Sequence, residues 1–143
     1  MSDAETRRFA GAAGVAVLIV DALYLQYVLV GQGIAPPWPM RVALIGMWIA
    51  VSGICAIAGA ALPGLRPPRR ALLLGVAAAG LLVIGVVAGF SIGIALLIAA
   101  IAVVAAASTT AMRAGIGLGR QALSLMLLLA AAAALMGIGL ATT

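Results

Sequence analysis

Asp21 is the residue whose type and position could do chemistry. It lies in the stretch IVDALYLQYV, residues 19–28, inside an apolar run that extends from Phe9 to Val30. A carboxyl there can carry a proton, accept a hydrogen bond or pair with a cation. Counted from Phe9 it is twelve residues along a helix, about 18 Å, which predicts a place near the middle of the membrane. Insertion of an aspartate at a helix centre costs about 2.5–3.5 kcal/mol, a cost that favours the neutral acid. Tyr24, three residues on, can donate a hydrogen bond to it. Gly14, Leu18, Leu25 and Val28 share its side of the helix, and Gly14 implies that this side packs on protein and not on lipid. Gln26 points off that line. Every arginine is terminal to an apolar run, so the sequence offers Asp21 no ion-pair partner within the chain. Three roles remain open: a neutral hydrogen-bonded acid, a titrating group in a wet path, or a contact to another chain.

Other chemistry is largely excluded. The chain has no His and no Lys, and its only other acids, Asp3 and Glu5, sit in the polar lead, where a frayed tail is expected. That removes imidazole ligands for zinc or haem, the Ser–His dyad, a Schiff base and a paired intramembrane acid and base. Cys55 is alone in an apolar run and is expected to act as a small hydrophobe. A non-enzymatic protein without metal or cofactor is the expectation. The loop RAGIGLGR, Arg113 to Arg120, is GxGxG with Arg120 where a third glycine would stand, and no strand precedes it. It is expected to be a flexible linker. A lesser reading gives Arg113 and Arg120, with exposed backbone N–H groups, an anionic lipid headgroup. Ser108, Thr109 and Thr110 are expected to bond back to carbonyls of their own helix.

The elements that would position these residues follow from composition. Of 143 residues, 66% are hydrophobic and 8% charged, against about 25% charged in a soluble domain. With mean hydropathy +1.34, the solvent for most of the surface must be lipid. The net charge of +5 belongs to short gaps between apolar runs, which speaks for a membrane setting and against nucleic acid. No cleavable signal peptide is expected, because acids occupy the lead and the first run is too long. Five runs are long enough to cross a bilayer: 9–30, 42–62, 71–88, 94–112 and 121–140. Ala71–Met112 is nearly unbroken and, as one helix, would measure about 63 Å. It must fold back, and Gly89–Gly93 carries the only turn chemistry. All six prolines lie in two gaps between runs, as stiff loops require.

With five crossings, Arg7, Arg8, Arg66, Arg69, Arg70, Arg113 and Arg120 fall on one side and Arg41 on the other. The positive-inside rule then places the N-terminus in the cytoplasm and the C-terminus outside. The expected fold is therefore a single all-α integral membrane domain, residues 1–143, a five-helix multi-pass bundle of the cell membrane. Trp38 and Phe90 are expected at the outer interface and Phe9 at the inner one.

Small residues recur at helical spacing. Gly46, Ala50 and Gly53 form one stripe on the second span, and Ser52, Ala56 and Gly59 another. Gly75 with Ala79 and Gly85 with Gly89 mark the third span; Ala95, Ala99, Ala102 and Ala106 mark the fourth; Ala130, Ala133 and Gly137 mark the fifth. Such seams let helix backbones approach in lipid, within one chain or between chains. Two stripes on the second span and an odd helix number suggest a homo-oligomer or a larger membrane complex. The functional expectation is a non-enzymatic membrane subunit or interaction module. The alternative is a small oligomeric transporter or channel coupled to protons or cations through Asp21.

Overall fold

The computed structural model describes residues 2–34, 39–88 and 92–142. Helix α1 (Asp3–Gln26) runs on into a π-helical turn, Tyr27–Gly31; α2 (Met40–Ala61), α3 (Pro67–Val87), α4 (Gly93–Arg113) and α5 (Leu118–Ala141) follow. All five are long and apolar enough to cross a membrane. Most ends agree with the expected spans to within a turn. The start of α1 does not. Ser2 Oγ accepts from the Glu5 amide at 3.1 Å, and the Ser2 amide donates to the Glu5 carboxylate at 2.6 Å. This capping box satisfies orphan N–H groups and extends the helix through the segment expected to fray. Asp3 is likewise held, 3.1 Å from Arg113 and 3.8 Å from Arg70.

The turn between α4 and α5 is also ordered, against the expectation of a flexible linker. Gly115 adopts φ 73°, its amide donates to Met112 O at 3.0 Å, and the Ile116 amide donates to Ala111 O at 3.0 Å. These paired bonds close α4 in a Schellman motif, which a glycine in the left-handed region permits. The expected turn at Gly89, Phe90 and Ser91 lies outside the described residues, as does Trp38.

Helix directions follow from the contacts. Arg7 Nε donates to Ala60 O at 2.7 Å, so the start of α1 caps the end of α2. Gly14 and Gly53 face each other, and Gly46 faces Asp21 and Leu25, which makes α1 and α2 antiparallel. On α3, Gly59 of α2 meets Leu74, and Trp48 Nε1 donates to Gly80 O at 3.2 Å. The alternation gathers the seven arginines at one end of the bundle and leaves Arg41 at the other.

The core is built from α1 to α4, with Ala10, Val17, Ile49, Ala56, Leu81, Ile84, Leu96, Ala100 and Val103 fully buried. Both stripes of α2 are used inside the chain: Gly46 and Gly53 against α1, Ser52 and Gly59 against α3. They therefore give no reason to expect a second chain. On α4 the expected stripe is shifted, because Ala95 is exposed while Leu96, Ala100, Val103 and Ala106 are buried. Larger side chains fill that face, so position on the helix decided it and size did not. Helix α5 stands apart. It lies along α3, with Gly75 near Leu128 and Gly139 near Leu44 of α2, and Met136 is its one buried residue.

The α1–α2 contact leaves no room for a side chain. A Cβ on Gly14 would sit 2.7 Å from Ile57 Cγ1 and 2.9 Å from Gly53 O, and one on Gly53 would sit 2.9 Å from Leu18 Cδ2. Gly53→Leu should lower the free energy of unfolding in mixed detergent by about 1–3 kcal/mol through overpacking. Gly119→Leu, where a Cβ meets nothing within 4 Å, should change it by less than about 0.5 kcal/mol. Equal effects of the two would refute the close contact.

Candidate functional site

Asp21 is 8% exposed and turned across to α2, where a Cβ on Gly46 would stand 3.5 Å from its Oδ1. A Cβ there would make only ordinary contact with the carboxyl and would press harder on Leu25 Cδ2, at 3.2 Å. The residues expected on its side, Gly14 and Val28, are buried with it, and Leu18, Tyr24 and Leu25 are half-buried. Gln26 points outward.

One expectation is corrected by this geometry. Gly46, opposite the carboxyl, lies six residues into α2, about 9 Å from its Arg41 end, with some 22 Å of α2 beyond it. Tyr24 is not a hydrogen-bond partner. Asp21 Oδ1 is buried with no hydrogen-bond partner among the described residues, because the side chain is directed at α2 while Tyr24 follows on α1. Both ion pairs found among the described residues belong to Asp3, so none reaches Asp21.

The other buried polar side chains, among the described residues, are Thr6, Ser52 and Thr110. Each donates to a carbonyl four residues back on its own helix: Thr6 to Ser2 at 3.0 Å, Ser52 to Trp48 at 2.9 Å and Thr110 to Ala106 at 2.7 Å. Thr109 also donates to Ala106, at 3.0 Å. These hydroxyls are satisfied locally. They do not form a track leading to Asp21.

Sequence reasoning passed over Trp48. Its indole N–H bonds Gly80 O across the α2–α3 contact, and Ser52 Oγ lies against the same glycine, where a Cβ would collide with it. A tryptophan inside an apolar run needs an acceptor for its one donor, and that signal was available. Arg7 was likewise read only as a topology charge, although it caps α2.

The arginine pair of the α4–α5 turn is divided. Arg113 pairs with Asp3. Arg120 lies in the first turn of α5 at the mouth of a groove formed with α3 and α4. Gly85 packs on Leu97 of α4, while Gly89 lies outside the described residues. Among the described residues no three His, Cys, Asp or Glu side chains gather as a metal site would require. Cys55 is half-buried and unpaired.

Compared with protein-family models, curated proteins and solved structures, the chain matches none.

A carboxyl without an internal partner contributes nothing to the chain's own stability and incurs a desolvation cost. Leu matches Asp in length and branching. Asp21→Leu should therefore leave the unfolding free energy of the isolated chain unchanged or raise it by up to about 3 kcal/mol, with Asp21→Asn between the two. Unfolding titrations in one detergent check this. A clear loss of stability in the Leu variant would mean that the carboxyl is bonded.

Proposed function

We propose that the protein is a non-enzymatic membrane subunit that assembles, through the flank carrying α5, with a second copy or with a larger membrane complex. The observation that carries this reading is α5 itself. The glycine seams of α1 to α3 are taken up by neighbouring helices of the same chain, but the seam of α5 is not. Ala130, Ala133 and Gly137 are exposed, a Cβ on Gly137 would meet nothing within 4 Å, and Ala133 and Gly137 border a 480 Å³ cleft against Val83 and Val86 of α3. Small residues facing an apolar cleft suit a close-packed transmembrane helix better than mobile lipid. The residue inventory supports a non-enzymatic role, since the chain holds no His, no Lys and one intramembrane carboxyl.

In mild detergent the wild type should run as a complex heavier than its 14.1 kDa chain. Gly137→Leu should release single chains while leaving their unfolding free energy within about 0.5 kcal/mol of wild type. A wild type that is monomeric and brings down no partner overturns the assembly reading.

The arginine distribution supports an N-terminus in the cytoplasm and a C-terminus outside. A reporter fused after Thr143 that works only outside the cytoplasm should be active. The same reporter fused before Met1 should be silent, and the reverse pattern overturns the orientation.

The unpartnered Asp21 favours one second reading, a small oligomeric transporter coupled to protons. A conduction path needs polar groups at successive depths, and the satisfied hydroxyls weigh against one. Proton flux into liposomes carrying wild type or Asp21→Asn separates the two. Flux that the Asn variant abolishes, with assembly intact, replaces the first reading by the second.

A further inference from the structure

Where the first half of α5 lies against the facing ends of α3 and α4, small residues leave a hollow. Ala71, Gly75 and Ala78 of α3 and Ala107 and Ala111 of α4 form its walls, and Leu128 of α5 closes its inner end. Its volume is about 460 Å³, within the range of small-molecule pockets. From Pro68 to Ala78 the wall runs ten residues along α3, about 15 Å, from the arginine-rich end toward the bundle's middle. The lining is largely apolar; its polar residues are Arg120 and Gln121 at the arginine-rich end, with Ser108 and Ser124 along the walls.

The mouth is built for an anion. The N-cap of α5 is Gly117, which offers no side chain to the first-turn N–H groups, and that turn carries Arg120 and no acid. Uncapped N–H groups and the positive end of the helix dipole lie at that end of α5, as does Arg120 in the lining. The two acids at this end are committed elsewhere: Asp3 to Arg113 and Arg70, Glu5 to the Ser2 amide. Seven arginines thus face two engaged carboxylates. What distinguishes this hollow from the Ala133–Gly137 cleft is charge: its lining includes Arg120, whereas that cleft has no charged residue in its lining, so its occupant should carry an anionic group. A free phosphate would leave the apolar trough unfilled.

We propose that this groove binds one anionic phospholipid, with an acyl chain along Gly75 and Leu128 and the phosphate held by Arg120 and the first-turn amides of α5. The site is separate from the Ala133–Gly137 cleft, so it stands or falls independently of the assembly reading.

The test uses the full chain in nanodiscs, with native mass spectrometry counting lipids retained after release. Wild type should keep one phosphatidylglycerol per chain and far less phosphatidylcholine. Arg120→Gln should weaken phosphatidylglycerol retention about fivefold, the effect of one basic residue near an anionic headgroup. Arg41→Gln, at the other end, should leave it unchanged. Ala122→Trp, an exposed position that lines the groove, should block the trough and abolish retention of both lipids. Millimolar inorganic phosphate should not displace the bound lipid. Equal retention of the two lipids, or retention unaltered in both Arg120→Gln and Ala122→Trp, overturns the proposal; displacement by phosphate alone would assign the site to the free anion.

Discussion

Helices in lipid gain nothing by hiding apolar side chains from a solvent that is itself apolar, so contact must come from how closely backbones approach. In this chain that approach runs through consecutive glycines. Gly14 and Gly53 bring α1 onto α2; Gly59 receives Leu74, and Gly80 receives Ser52, bringing α2 onto α3; Gly85 and Gly93 meet where α3 turns back into α4. At each step one helix supplies a gap and the other supplies backbone or a single side chain. Directional bonds add to three of these seams or their ends: Trp48 to Gly80 O, Arg7 to Ala60 O, and Asp3 to the arginines of α3 and α4. Asp3 is exposed in both pairs, and the contact to the largely buried Arg70 is long at 3.8 Å, so each is worth no more than about 1 kcal/mol. Close packing therefore carries the bundle, and the polar contacts fix its register at the arginine-rich end.

Polar groups inside the bundle obey a second rule. A hydroxyl that can bond its own helix does so, and Thr6, Ser52 and Thr110 make no hydrogen bond to another helix, although Ser52 still packs on Gly80. A carboxyl has no such outlet at Asp21, because its side chain is turned toward α2 beside Gly46. The insertion cost of about 2.5–3.5 kcal/mol is not recovered within the chain by any bond among the described residues.

Periodicity and charge made much of the fold legible. Five apolar runs of helical length, prolines confined to the gaps and a seven-to-one arginine split are local or one-dimensional features, and they survive folding intact. The start of α1 was obscured because Asp3 and Glu5 look like a solvated tail until Ser2 and Arg113 are brought to them, and Arg113 is 110 residues away. The Schellman turn was hidden for a similar reason: three glycines in seven residues resemble slack unless the bonding of each is known. The site was half legible. Gly14 and Asp21 share a face by arithmetic, but the partner across the gap, Gly46, depends on the helix pairing. Tyr24 shares a side with Asp21 without bonding it.

Helix α5 is where the same constraint has an unfinished result. It meets α3 at Gly75 and α2 at Gly139 and buries Met136 in the core, and it leaves one opening before Leu128 and another beyond it. Toward the arginine-rich end the gap is walled by alanines and opens beneath Arg120, so a flexible chain with a charged head fits it. Toward the Arg41 end the gap is bordered by Ala133 and Gly137 with no charge nearby, so an apolar helix fits it. The two openings lie on successive halves of α5 and do not overlap in their lining residues. A lipid in one and a helix in the other are compatible.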